Sequence, residues 1–312
     1  MTPPARTAPR LPLKPLLLVL GAAAAAYTVA LAVFGESNPL ETMQRLVSLT
    51  GLQVLVLCLL SYLLRGLRWR RWMADVGRPL GWLEGLRLYL AGYAFTPTPG
   101  NIGEAARGLL LARQPLGTAQ RLAIFGAERL ADLFCLLFMS LPVVWYLADA
   151  GGSGAAPRLT LALGLLALAG LALLGLWFQF RRRLLRRLPW LSDAWRCLTM
   201  QPLVWLGLTG VAWAAQGLAV WLLCRDAGLT IGVLQAAGFY AVAMVAGAAS
   251  MLPAGLGGME ALLTGLLVVH GASAAQALEI TVLVRVATLW FAVAIGVLAL
   301  VYSAAIRDIS FR

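Results

Sequence analysis

Long apolar stretches alternate with short polar ones along most of this chain. The clearest runs are Leu16–Phe34, Leu46–Leu64, Leu122–Leu147, Leu159–Phe180, Leu203–Cys224 and Ala277–Tyr302. About 20 residues of helix cross a hydrocarbon core, and these runs are near or above that length. Helix is the expected form, because lipid offers no partner for a free backbone amide. Gly35-Glu36-Ser37-Asn38-Pro39 makes a poor signal-peptidase site, so the first run is expected to stay as a helix. Two further apolar regions are interrupted. Leu83–Ala112 is broken by Thr96-Pro97-Thr98-Pro99-Gly100-Asn101, and Val233–His270 by Leu252-Pro253-Ala254-Gly255-Leu256-Gly257-Gly258. Their shorter arms, at 1.5 Å per residue, reach only about 16 Å, half of the core. Such arms fit a re-entrant hairpin that enters and leaves on one side.

Charge fixes a direction for this pattern. With 61% hydrophobic and only 12% charged residues, the chain lacks the charge to cover a water-soluble surface of its size. The net charge of +12 does not point to nucleic acid, because the basic residues sit in short loops between apolar runs. If the N-terminus is cytoplasmic and the broken regions do not cross, 19 basic residues fall inside and three outside (Arg45, Arg158 and Arg225). That asymmetry predicts cytoplasmic termini. Trp69, Trp72, Trp82, Trp190 and Trp195 flank the inner loops, as an aromatic belt does. The four cysteines, Cys58, Cys135, Cys197 and Cys224, form no Cys-x-x-Cys pair and read as small buried hydrophobes. No cofactor and no metal site is expected.

The halves of the chain repeat each other. Pro99-Gly100-Asn101-Ile102-Gly103-Glu104-Ala105 matches Pro253-Ala254-Gly255-Leu256-Gly257-Gly258-Met259-Glu260-Ala261. Glu104 precedes Arg129 by 25 residues, and Glu260 precedes Arg285 by the same 25. In each half two long helices are followed by a broken hairpin and a third long helix. Three crossings is an odd number, so the second half starts on the opposite side and its hairpin enters from the opposite face. The expectation is therefore an all-α integral membrane protein with six spanning helices and two re-entrant hairpins in an inverted repeat. Residues 1–15 form a cytoplasmic tail. Residues 16–148 form the first repeat, with its hairpin at 83–112. Residues 149–303 form the second, with its hairpin at 233–270, and 304–312 form a cytoplasmic tail.

Eight charged residues fall within the apolar regions: Arg107, Arg129, Arg285, Glu104, Glu128, Asp132, Glu260 and Glu279. Each costs about 2.5–3.5 kcal/mol at a helix centre, so they are expected to face the bundle interior, paired or hydrated. Glu128 and Asp132 share a helix face, and Arg129 can pair with Asp132 one turn on. One reading is a substrate site in which Arg107, Arg129 and Arg285 contact a phosphate, with Glu104, Glu260, Glu128, Asp132 and Asn101 around it. Pro99, Gly100, Gly103, Pro253, Gly255 and Gly257 would shape the breaks. The arms starting near Gly103 and Gly258 would aim positive dipole ends at the same point. The other reading is structural: the glutamates stabilise helix N-termini, and the ion pairs hold the hairpins in place. His270, the one histidine, is placed at the outer interface.

Leu67-Arg68-Trp69-Arg70, the Pro-Gly-Asn-x-Gly-Glu-Ala-x-Arg stretch at Pro99–Arg107, Glu128-Arg129-x-x-Asp132, the stretch Leu252–Glu260, and Arg285 resemble the flippase-like family of lysylphosphatidylglycerol synthase transmembrane-region proteins. The resemblance covers about residues 16–303. In the best-understood members of that family the membrane region is joined to a soluble aminoacyl-transferase domain and flips the modified lipid. The resemblance implies lipid translocation, without the synthase half. The expected partners are membrane lipids, either an anionic phospholipid or a polyprenyl phosphate. A homodimer or an envelope-biosynthesis partner is left open. No Walker loop is present, since no lysine follows Lys14. The expected location is the bacterial inner membrane. A transporter, not an enzyme, is the leading expectation; a lipid-modifying transferase and a scaffold for envelope synthesis are the alternatives.

Overall fold

The computed structural model describes residues 13–35, 38–98, 101–110, 116–149 and 189–305. These residues are almost wholly helical, with no strand among them. The α-helices, in chain order, are α1 Leu13–Phe34, α2 Pro39–Gln44, α3 Leu49–Asp75, α4 Trp82–Gly92, α5 Thr118–Asp149, α6 Pro189–Thr199, α7 Pro202–Asp226, α8 Val233–Ala249, α9 Gly258–Val269, α10 Ala274–Arg285 and α11 Phe291–Ala305. A π-helical turn, Val286–Trp290, joins α10 to α11.

Three helices among the described residues are long and apolar enough to cross a membrane: Leu49–Asp75, Pro202–Asp226 and the continuous Ala274–Ser303. They hold the second, fifth and sixth apolar runs. The first run lies in the 22-residue α1 and the third in the 32-residue α5. The fourth run, Leu159–Phe180, lies outside the described residues, as do Pro99 and Gly100.

Helix α5 shows how these helices are built. Leu130, Phe134, Phe138 and Leu141 recur every three or four residues along one face and are exposed, while Ala123, Ala127, Glu128, Ala131 and Asp132 are buried. Large apolar groups outward, with small and charged groups inward, is the arrangement that lipid favours.

The packing is an exchange between halves. Helices α3 and α7 form the central pair. The arm α4 of the first half lies against α11 of the second, and α8 of the second half lies against α5 of the first. Small residues allow this closeness. A Cβ added to Gly296 on α11 would stand 2.3 Å from the Ala94 amide nitrogen, so only glycine permits the contact.

Both broken regions break where the Pro/Gly clusters stand. In the second, α8 and α9 fold back on each other, with Gly255 and Gly257 at φ of +67° and +86° in the turn. Such φ values suit glycine, which has no Cβ to clash. Pro253 lies at the same break. The far ends of this pair meet: Gln235 Nε2 on α8 is 3.3 Å from Nδ1 of His270, and His270 Nε2 is 3.0 Å from the Thr230 carbonyl.

The first broken region departs from expectation. Its second arm is not an α-helix but a 3₁₀ segment, Ile102–Leu109, entered through Asn101 in the left-handed conformation (φ 55°). Crowding accounts for the tight winding. A Cβ on Gly103 would lie 2.6 Å from the Phe95 carbonyl oxygen, and one on Gly92 would lie 2.2 Å from Arg107 Nε. Two of the supposed belt tryptophans are also placed differently. Trp69 and Trp72 are buried on the inner stripe of α3.

Candidate functional site

Charge is concentrated in two groups. The larger is organised around α5, whose successive turns present Glu128, Arg129 and Asp132. Arg107, from the 3₁₀ arm, donates from Nη1 to both Glu128 carboxylate oxygens at 2.9 and 3.1 Å, and from Nη2 to Glu104. Its guanidinium also lies over the Tyr89 ring, 4.3 Å from the centroid. Glu104 accepts as well from Thr96 Oγ1 at 3.0 Å and from Arg129 Nη2 at 3.3 Å. Arg129 reaches Asp132 at 3.5 Å. Asp132 in turn accepts from Arg68 Nη1 at 2.8 Å and from the Trp213 indole at 3.3 Å. Arg68 bonds Thr209 Oγ1 at 2.8 Å and lies 3.9 Å from Glu128.

Burial divides the members. Glu104, Arg107, Glu128, Asp132 and Arg68 are buried, whereas the Arg129 side chain is 35% exposed. Buried ion pairs of this kind hold only if the charges are mutually satisfied, because removing one partner strands the other in low dielectric.

The smaller group belongs to the second half. Arg285 Nε donates to Glu260 Oε1 at 2.6 Å, and Arg285 Nη2 to the Ala254 carbonyl at 2.8 Å. Tyr27, on α1, donates its hydroxyl to the same Glu260 oxygen at 2.5 Å. The other oxygen of Glu260 accepts from the Gly257 amide at 2.8 Å, so this carboxylate caps its own helix.

The repeat therefore reaches the level of single bonds. Glu104–Arg129 and Glu260–Arg285, each 25 residues apart, are both salt bridges. Among the described residues, however, no hydrogen bond or salt bridge joins the two groups, and Arg129 and Arg285 do not share a partner. The expectation of two helix N-termini aimed at one anion is also corrected. One arm is 3₁₀, and the other N-terminus is occupied by Glu260. Asn101 and Gly103 shape the first turn: the Asn101 carbonyl accepts from the Glu104 amide, and the Gly103 amide donates to Thr98 Oγ1. Glu279 is buried on α10, its Oε1 3.4 Å from where a Cβ on Gly35, just after α1, would stand.

Sequence reasoning assigned Arg68, a member of the larger group, and its neighbour Arg65 to a loop. They lie on α3, buried. The signal was present. Cys58, Ser61, Tyr62, Arg65, Arg68, Trp69, Trp72 and Met73 are spaced at three and four residues and form one buried stripe. Counting arginines as loop residues concealed it. Among the described residues, no set of three His, Cys, Asp or Glu side chains is arranged to hold a metal ion.

A family model, the lysylphosphatidylglycerol synthase TM region, matches residues 16–296, and the chain belongs to that family. No curated protein matches the chain closely enough to count as a relative.

Proposed function

We propose that this member of the lysylphosphatidylglycerol synthase TM-region family moves an anionic lipid, or a polyprenyl-phosphate carrier, between leaflets. In this reading six helices span the membrane and the two broken regions re-enter from opposite faces. Both termini face the cytoplasm of a bacterial inner membrane. Three features support that arrangement: the family, the fold-back of α8 on α9, and the exchange of arms between halves. The tails stay in the bilayer while the headgroup passes the buried arginines. The protein acts as a transporter and carries out no covalent step on the lipid.

The observation that carries the proposal is the contrast between Arg129 and its neighbours. It is the half-buried arginine of an otherwise buried network, and its two carboxylate partners are both shared. When a phosphate draws Arg129 away, Glu104 retains Arg107 and Thr96, and Asp132 retains Arg68 and Trp213. No carboxylate is left unpaired, so the arginine exchanges between Glu104 and an anion at low cost. Return of Glu104 to Arg129 then releases the headgroup.

The test is leaflet exchange of labelled lipids in liposomes containing the purified protein. Wild type is expected to accelerate exchange of an anionic phospholipid or a polyprenyl phosphate, and Arg129→Ala to lose most of that acceleration. Exchange no faster with protein than without, across both lipid classes, rejects transport. Chemical modification of the lipid in the same vesicles would instead mark a transferase.

A further inference from the structure

Arg65 stands one turn before Arg68 on α3, yet it takes no part in the ion pairs described above. It is 8% exposed, and among the described residues no carboxylate lies within salt-bridge distance of it. Its Nη2 donates to Gln216 Oε1 at 3.2 Å, and its guanidinium lies 3.9 Å from the centre of the Trp213 ring. Its Nε has no hydrogen-bond partner. One turn earlier on the same face, the buried Ser61 hydroxyl also lacks a partner. Tyr240, on α8, donates to the same Gln216 oxygen at 3.1 Å. The place is thus a seam: α3 comes from the first half, α7 and α8 from the second.

An amide oxygen and an indole face stabilise a guanidinium only in part, and the main counter-charge acting on Arg65, Asp132, lies beyond ion-pair range, bonds Arg68 and reaches Arg129. The surrounding charge does not close the gap. Arg65, Arg68, Arg107 and Arg129 face Glu104, Glu128 and Asp132, four cations against three carboxylates. At this seam the Arg65 Nε–H and the Ser61 hydroxyl are unfilled beside a net positive charge, a combination that a negatively charged acceptor suits. We propose that Arg65 holds a singly charged anion, a halide or a phosphate oxygen, at the seam between the halves. The anion comes either from solution or from a lipid headgroup. The site stands on its own geometry and rests on the lipid-transport reading only in naming the headgroup as an occupant.

Trp213 makes the site observable. A bromide ion at Arg65 lies close enough to quench its indole. In micelles of a neutral detergent, bromide is expected to give a saturable component of tryptophan quenching that inorganic phosphate competes away. That component is expected to vanish in Trp213→Phe and in Arg65→Gln. Gln216→Glu keeps the arginine and supplies a carboxylate at hydrogen-bond distance almost isosterically, so it is expected to fold. It should weaken bromide binding by on the order of tenfold or more, as a counter-charge about 4 Å away implies. Quenching that never saturates in the wild type overturns the proposal, and so does a saturable component unchanged in Gln216→Glu. In nanodiscs, competition by phosphatidylglycerol but not by an uncharged lipid assigns the headgroup as occupant. Competition by inorganic phosphate alone assigns the free ion. The quenching and leaflet-exchange tests fail independently, since the first needs no lipid movement and the second no bromide.

Discussion

Arg68 and Arg129 contact different oxygens of Asp132, and the same substitution should have different effects at each. Arg68 is fully enclosed and bonds Asp132 at 2.8 Å, so Arg68→Ala leaves a buried carboxylate short of its main partner. A loss of about 3–5 kcal/mol is expected, read as a lowered midpoint of thermal unfolding in detergent. Arg129 reaches outward and its partners have other donors, so Arg129→Ala is expected to cost about 1 kcal/mol or less. If the two variants unfold at the same temperature, the division between an enclosed and an exchangeable arginine is wrong. A stable Arg129→Ala also makes it a clean probe of transport, because lost exchange then reflects lost chemistry and not lost fold.

Among the elements, the contact most sensitive to volume is that of α11 with the first broken arm. Gly296→Ala puts a methyl group 2.3 Å from the Ala94 amide and close to Tyr93. The backbones must separate, at a cost of about 1–3 kcal/mol in thermal unfolding. An unchanged midpoint would show that the two elements do not pack so closely. Among the described residues, the existence and place of the long helices were readable from the apolar runs, because lipid forces both length and hydrogen bonding. The breaks were readable too, since Pro97, Pro99 and Pro253 cannot continue a helix. Two features escaped. The 3₁₀ winding of Ile102–Leu109 comes from steric crowding by Phe95 and Arg107, contacts that no local pattern records. The burial of Arg65 and Arg68 was masked because the positive-inside count treats an arginine near a helix end as a loop residue. The pairing of Glu104 with Arg129 and Glu260 with Arg285, by contrast, was foreshadowed by the equal 25-residue spacings.

For the whole molecule, the proposed inverted arrangement makes a prediction that labelling can check. Arg113→Cys and His270→Cys should react with a membrane-impermeant maleimide from opposite faces of sealed vesicles. Reaction from the same face would defeat the opposed hairpins. The native cysteines give little background. All four are buried, and burial pushes the Cys197 thiol up to about 12, so it stays protonated and unreactive at neutral pH.

The exchange of arms between halves also sets an order of events during synthesis. Translation delivers α4 and the 3₁₀ arm long before α11, the helix on which α4 rests. Until the C-terminal helix arrives, the first broken region, which carries Glu104 and Arg107, rests only on α3 and α5 of its own half. The nascent chain is not left with bare charge, because Arg68, Glu128, Arg129 and Asp132 emerge from the ribosome within the same half and can neutralise one another there. If the arm re-enters the bilayer as proposed, the salt bridges of the first half keep its charges paired there until the distant helix it packs on has been made.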